Sequence, residues 1–99
     1  QVKNKLKVNY ENGSDLVIWP NPSTGLVNFE INETLHSEKQ TIAKVLIFDG
    51  VGKLVHVRSN MDMQRVTYNP NNIESGVYQV VVEDIYGNKY TGRMTIRKP

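Results

Sequence analysis

The residue types that carry out most protein chemistry are scarce and scattered in this chain. Its 99 residues contain no cysteine, which excludes a thiol nucleophile, a disulfide framework and a thiolate zinc site. The two histidines, His36 and His56, lie far apart in the sequence, one in a predicted loop and one in a predicted strand. Because a transition-metal site needs more ligands at closer spacing, we predict that the chain binds no such metal.

The acidic residues do not indicate a reactive site either. Asp49 lies in a glycine-rich turn and Glu83 precedes Asp84, but neither segment has the ordered ligand spacing of a calcium loop. The chain has no Gly-x-Ser-x-Gly elbow, and a small β-domain has little room for the paired acids of a glycosidase. We therefore predict a protein that is not an enzyme, without catalytic residues, metal or other cofactor.

The elements that position these residues are predicted to be short strands. β-branched and aromatic residues cluster in short runs that Gly, Asn and Pro interrupt, which is typical of an all-β sandwich or barrel. Apolar and polar residues alternate most clearly in 26–31, 77–83 and 89–97, so one face of each strand should be buried. Further strands are expected at 16–19, 45–48, 54–58 and 66–68, and a surface loop at 32–40.

Basic residues are concentrated at the two ends of the chain. The net charge is only +2, yet 1–10 and 85–99 contain lysine and arginine and no acid. Such ends can steer an encounter with an anionic partner, or they can be solvated without a further role. Nucleic-acid binding would need exposed aromatic side chains among the basic ones, and Tyr68, Tyr78 and Tyr90 are predicted to face inward. We therefore predict no nucleic-acid binding. No apolar run approaches the length that spans a bilayer, so we also predict no membrane insertion.

Four short motifs follow one another in the chain. Residues 20–25 read PNPSTG, 46–55 read LIFDGVGKLV, 73–78 read IESGVY and 90–98 read YTGRMTIRK. Each motif alone is common, but in this order and spacing they resemble the type A C-terminal sorting domain of the type IX secretion system in Bacteroidetes. The resemblance extends over about residues 16–98.

This resemblance assigns two groups of residues. Those expected to have structural roles in turns are Pro20, Asn21, Pro22, Gly25, Asp49, Gly52, Lys53, Gly76 and Tyr78. Those expected to be recognised by the translocon or the sortase are Arg93, Ile96, Arg97 and Lys98. Within the turns, we expect Gly25 to permit a reversal of the backbone, and Gly50 and Gly52 to accept positive φ.

The resemblance also implies an immunoglobulin-like antiparallel sandwich of about seven strands, which we place at 16–99 after a polar leader at 1–15. It implies fusion to a cargo protein on the N-terminal side and export through the periplasm to the cell surface or the extracellular space. A surface sortase would then remove the domain, with cleavage in the leader before Leu16.

A second interpretation stays open at this point. The chain could be a non-catalytic accessory module of a secreted protein that binds carbohydrate or a partner protein. Such a module would need a row of exposed aromatic side chains or a calcium loop. The candidates are Tyr10, Trp19 and Tyr86, which do not share a predicted strand.

Overall fold

The computed structural model describes residues 16–32 and 40–99. The predicted leader and most of the predicted loop at 32–40 lie outside these described residues. The strands are β1 (Leu16–Trp19), β2 (Val27–Ile31), β3 (Ile42–Phe48), β4 (Leu54–Arg58), β5 (Val66–Tyr68), β6 (Gly76–Asp84) and β7 (Lys89–Ile96). A short 3₁₀ turn, Pro70–Asn72, lies between β5 and β6.

The strands form two antiparallel sheets. One sheet has the order β1-β2-β5 and the other the order β4-β3-β6-β7, and every neighbouring pair within them is antiparallel. The prediction of an all-β domain with seven strands is therefore confirmed for the described residues.

The core lies between the two sheets and follows from the alternation in the sequence. In β2, Val27, Phe29 and Ile31 are buried, whereas Asn28 and Glu30 are half-buried on the other face. Each buried apolar side chain of this size contributes roughly 1.5–3 kcal/mol relative to its exposed state. The four-stranded sheet contributes the larger share of the core with Ile42, Val45, Ile47, Tyr78, Val80, Val82, Tyr90, Met94 and Ile96.

The three tyrosines predicted to face inward are buried. Tyr68, Tyr78 and Tyr90 are 9%, 8% and 0% exposed. The Tyr78 hydroxyl donates a hydrogen bond to the Glu74 carbonyl oxygen at 2.6 Å, and the Tyr90 hydroxyl donates to Asp84 Oδ2 at 2.9 Å. Because buried tyrosines need a partner for the hydroxyl group, these contacts fit a role in packing.

The carboxylate of Asp84 organises the turn between β6 and β7. Asp84 is 2% exposed, and its Oδ1 accepts the backbone N–H groups of Tyr86 and Asn88, both at 2.9 Å. Burial alone would raise the pKa of Asp84, but the hydrogen bonds from Asn88, Tyr90 and Tyr86 together hold that pKa below its ordinary value. Gly87 has a φ of +88° in the same turn, which glycine adopts without strain.

Replacement of Val80 tests the assignment of β6. Val80 is 0% exposed and pairs with Ile47 of β3 and Gly92 of β7. The substitution Val80→Asp would bury a carboxylate without a partner, so we expect loss of cooperative folding. Val77→Asp is the matched control, because Val77 lies on the other face of the strand and is 51% exposed. A thermal melt of Val80→Asp that matches the wild type would contradict the assignment.

Replacement of Asp84 tests the hydrogen-bonded turn. Asp84→Asn should lower the free energy of unfolding near neutral pH by about 1–3 kcal/mol, because the amide group cannot accept from all the present donors. The depressed pKa of Asp84 stabilises the fold above the unfolded-state value of about 3.9, and this contribution disappears as pH falls through the lower folded-state pKa.

Urea unfolding at neutral and strongly acidic pH measures both effects. The difference between wild type and Asp84→Asn should shrink in acid, since the carboxylate is then protonated in both the folded and the unfolded states. Asp62→Asn is the control, because Asp62 is exposed. An undiminished difference at acidic pH would argue against a role for the charge of Asp84.

Candidate recognition site

The four sequence motifs meet at one end of the sandwich. At this end β1, β3, β5 and β7 finish, while β2, β4 and β6 begin. We call it the motif pole and define it by residues 20–26, 49–53, 69–75 and 97–99. The opposite end carries the start of β1 and the turn between β6 and β7.

The first motif covers the outer edge of β7. Asn21 donates from Nδ2 to the Arg93 carbonyl oxygen at 2.8 Å and accepts the Thr95 N–H at Oδ1 at 2.9 Å. Ser23 continues this pairing with its backbone, since its N–H donates to the Thr95 carbonyl oxygen at 2.9 Å and its carbonyl oxygen accepts the Arg97 N–H at 2.8 Å. The side-chain amide of Asn21 thus takes the place of a backbone peptide group in the pairing with β7. Over this segment the chain passes from the sheet that contains β1 to the edge of the sheet that contains β7.

Ser23 was not among the predicted site residues, yet it is the most buried residue of its motif. It is 0% exposed. Its hydroxyl group donates to the Gly25 carbonyl oxygen at 2.7 Å, lies 3.0 Å from the Leu26 carbonyl oxygen and accepts the Gly25 N–H at 3.2 Å. Serine side chains often bind nearby backbone in turns, and this tendency was the available sequence signal. The peptide bonds before Pro20 and Pro22 are both cis.

The expected role of Gly25 is not supported. Its φ lies outside the left-handed region, and a Cβ atom placed on Gly25 would have no other atom within 4 Å. The backbone reversal therefore does not depend on glycine at this position.

The second motif forms the turn between β3 and β4. The Asp49 carboxylate accepts the N–H groups of Val51 at 3.0 Å and Lys53 at 2.9 Å through Oδ1. Of the two glycines expected to have positive φ, Gly52 does so with +88°, whereas Gly50 does not. Asp49 and Gly52 therefore shape this turn.

The third motif lies beside that turn. A Cβ atom on Gly76 would lie 3.6 Å from the Tyr78 ring, which is an ordinary van der Waals distance, so the ring packs directly beside position 76. Two adjoining grooves of about 540 and 390 Å³ separate the turn from this motif, and both are lined by Asp49, Glu74 and Tyr78.

The fourth motif ends in contact with the loop before β6. The Lys98 N–H donates to Ser75 Oγ at 2.8 Å, and Lys98 Nζ donates to the Asn71 carbonyl oxygen at 3.1 Å. The structure therefore brings the third and fourth motifs together at the motif pole, as it does the first and fourth.

The residues predicted to be recognised fall into two groups. Arg93, Arg97 and Lys98 are exposed, and the guanidinium groups of Arg93 and Arg97 form no ion pair within the described ranges. Ile96, by contrast, is 2% exposed and belongs to the core. Its side chain packs between the sheets and is not accessible in the folded domain, so a role of Ile96 in recognition stays a prediction.

The described residues give little support to the alternative binding module. Trp19 is half-buried, with the Arg65 guanidinium 5.2 Å from its ring centroid. Tyr86 is 74% exposed but lies at the opposite end of the sandwich, and Tyr10 is outside the described residues. These two aromatic side chains therefore form no row. In 16–32 and 40–99 there is no group of three or more potential metal ligands, and no helix there is long and apolar enough to cross a membrane.

A comparison with known protein families identifies the domain. The family model described as the secretion system C-terminal sorting domain matches residues 17–97. The chain belongs to this family. The sorting domain is thus a C-terminal sorting signal for type IX secretion, carried by a cargo protein that interacts with the secretion machinery and is exported to the cell surface or the extracellular space.

A solved structure supports the fold. The sorting domain is similar to a DUF3244-family protein with an immunoglobulin-like β-sandwich fold from Bacteroides vulgatus ATCC 8482. The sequence identity is 14% and the TM-score 0.58, with 83% of this chain and 94% of that chain covered. This similarity confirms the predicted immunoglobulin-like sandwich. No curated protein sequence matches the chain.

Replacement of Asn21 tests the covering of the β7 edge. Asn21→Ala removes two hydrogen bonds to β7, so we expect the free energy of unfolding to fall by about 1–2 kcal/mol, since water replaces part of what is lost. The amide hydrogen of Thr95 should also exchange faster with solvent, because Asn21 Oδ1 is its acceptor.

Urea unfolding and hydrogen exchange followed by NMR measure these effects. Thr24→Ala is the matched control, because Thr24 is exposed within the same motif. Unchanged exchange at Thr95 in Asn21→Ala would show that the side-chain amide does not protect this edge.

Proposed function

We propose that the outer-membrane translocon of the type IX system recognises the sorting domain through the basic C-terminal strand, and that a surface sortase then removes the domain from its cargo. The observation that carries the proposal is the arrangement of Arg93, Arg97 and Lys98. All three are exposed, while the backbone around them is fixed by hydrogen bonds to the rest of the motif pole.

This arrangement suits recognition for two physical reasons. A strand whose backbone is already ordered loses little conformational entropy on binding, so more of the contact energy appears as affinity. Arg93 and Arg97 have no acidic partner in the described ranges, so an acidic partner surface would gain new interactions without breaking existing ones.

Removal by a sortase is proposed to occur in the leader at 1–15. Cleavage there would separate the intact sandwich from the cargo protein. The proposal is tested by sequencing the N-terminus of the released domain. A new N-terminus within β1 or beyond would contradict it, because cleavage would then cut a strand of the folded domain.

The basic residues are tested by an export assay in a Bacteroidetes strain with a working type IX system. A fluorescent cargo with a periplasmic signal carries residues 1–99 at its C-terminus, beside a variant with Arg93→Ala and Lys98→Ala. We expect the variant to accumulate in the periplasm, because two exposed cations are lost while the core is unchanged. Normal export of the double variant would remove these residues from the mechanism.

Folding is controlled in the same experiment. The melting temperature of the double variant should stay close to that of the wild type, because both side chains are exposed and surface changes of this kind usually shift stability by less than about 0.5 kcal/mol. Arg58→Ala with Arg65→Ala is the matched control, since it removes the same charge from exposed positions outside β7 and outside the four motifs. Truncation after Gly92 would be a poorer test, because it also removes Met94 and Ile96 from the core.

A further inference from the structure

The outer face of the four-stranded sheet carries a patch of half-buried and exposed apolar side chains. Alternate residues of β3 and β6 point away from the core on this face, and a register shift between Ile47 and Phe48 places Leu54 and Val57 of β4 beside them. The three at its centre are half-buried and the three at its margin are 44–51% exposed. We call these six residues the outer patch: Leu46, Phe48, Leu54, Val57, Val77 and Val81.

The strand register makes this patch continuous. Leu46 pairs with Val57 on one side and with Val81 on the other, and Phe48 pairs with Leu54. Cross-strand neighbours on one face lie within contact distance, so the apolar side chains adjoin across three strands. The patch also reaches the motif pole, because Val77 shares the 390 Å³ groove with Val51, which is 89% exposed at the tip of its turn.

One predicted recognition residue stands at the margin of the outer patch. Arg93 pairs with Gln79, which in turn pairs with Phe48, so Arg93 lies on the same face, in the same cross-strand row as Phe48 and separated from it by Gln79. The acid on this face, Glu83, already has a cation beside it, since Lys89 Nζ lies 3.9 Å from its carboxylate. The face is therefore apolar in the middle and has an arginine without an acidic partner in the described ranges.

We propose that the outer patch and Arg93 form the docking surface for a folded protein of the secretion machinery, which presents apolar side chains to the patch and a carboxylate to Arg93. This inference rests on the proposed function and names the face on which recognition occurs. Clustered exposed apolar residues mark interaction sites on small soluble domains, and arginine is enriched among the residues that dominate interface energies.

A second copy of the domain is the less suitable occupant. Two copies facing each other through this surface would bring together Lys44, Lys89 and Arg93 from both, against one Glu83 from each. Like charges brought together at an interface oppose association. A partner with acidic side chains at the edge of its interface would form an ion pair with Arg93, whereas a second copy would not.

The test uses the same export assay with lysines placed in the outer patch. Val57→Lys with Val77→Lys should lower the rate of cargo export by about tenfold or more, since two apolar interface positions would each be replaced by a charge. The fold should persist, because these residues are 48% and 51% exposed. The matched control is Val17→Lys with Ile85→Lys, which adds the same charge at positions 41% and 54% exposed on other surfaces.

The outcomes separate this inference from the proposed function. Slow export of the patch variant together with normal export of the control supports the docking face. Normal export of the patch variant overturns the docking face, and if the Arg93 and Lys98 variant is still retained, the proposed function stands without it. Equal loss in both lysine variants would indicate a general effect of charge and would also overturn the docking face. Retention of the wild-type cargo would overturn the proposed function and this inference with it.

Sedimentation of the purified domain examines the competing occupant. We expect a monomer for both the wild type and the patch variant. A wild-type dimer that Val57→Lys with Val77→Lys dissociates would overturn the inference in favour of a second copy.

Arg93→Glu provides a last check, because it should slow export as strongly as the patch lysines do, while Arg93→Lys should retain part of the export.

Discussion

The pairing of Asn21 and Ser23 with β7 is the interaction on which the rest of this domain depends. β7 is the last strand of its sheet and supplies Tyr90, Met94 and Ile96 to the core. Without a neighbour on its outer side, the backbone of an edge strand presents unpaired N–H and C=O groups, which invite pairing with other chains. The first motif satisfies these groups between Arg93 and Arg97 and joins the two sheets along that side.

The same pairing explains how a short tail can be both structural and exposed. Even-numbered residues of β7 point into the core and odd-numbered ones point outward, because strand side chains alternate. The buried side chains fix β7 against the core, and the hydrogen bonds from Asn21 and Ser23 fix its outer edge. Arg93, Arg97 and Lys98 are consequently displayed on a fixed backbone instead of a flexible end, and the apolar outer patch lies beside Arg93 on the same sheet.

Local patterns in the sequence predicted the strands but not their contacts across the molecule. Alternation in β2, β6 and β7 indicated which residues are buried, because period-two patterns act between neighbours on one strand. The bond between Asn21 and Arg93 joins residues 72 positions apart, and a single sequence contains no signal for such a contact. The pairing of the Ser23 backbone with Thr95 and Arg97 was missed for the same reason. Gly25 and Ile96 show a second limit of sequence-based prediction. That a residue belongs to a motif does not indicate whether it bends the chain, packs in the core or contacts a partner.

The covering of β7 by the first motif also ties the beginning of the domain to its end. During synthesis, residues 20–23 emerge long before residues 93–97, and their partners do not yet exist. A chain that stops early has no β7, so β6 becomes a bare edge and part of the core stays open to water. Contacts between distant parts of a chain form late in folding. The sandwich can therefore close only after residues 93–97 have been synthesised, and a machine that binds only the closed form would not accept a chain that stops before them.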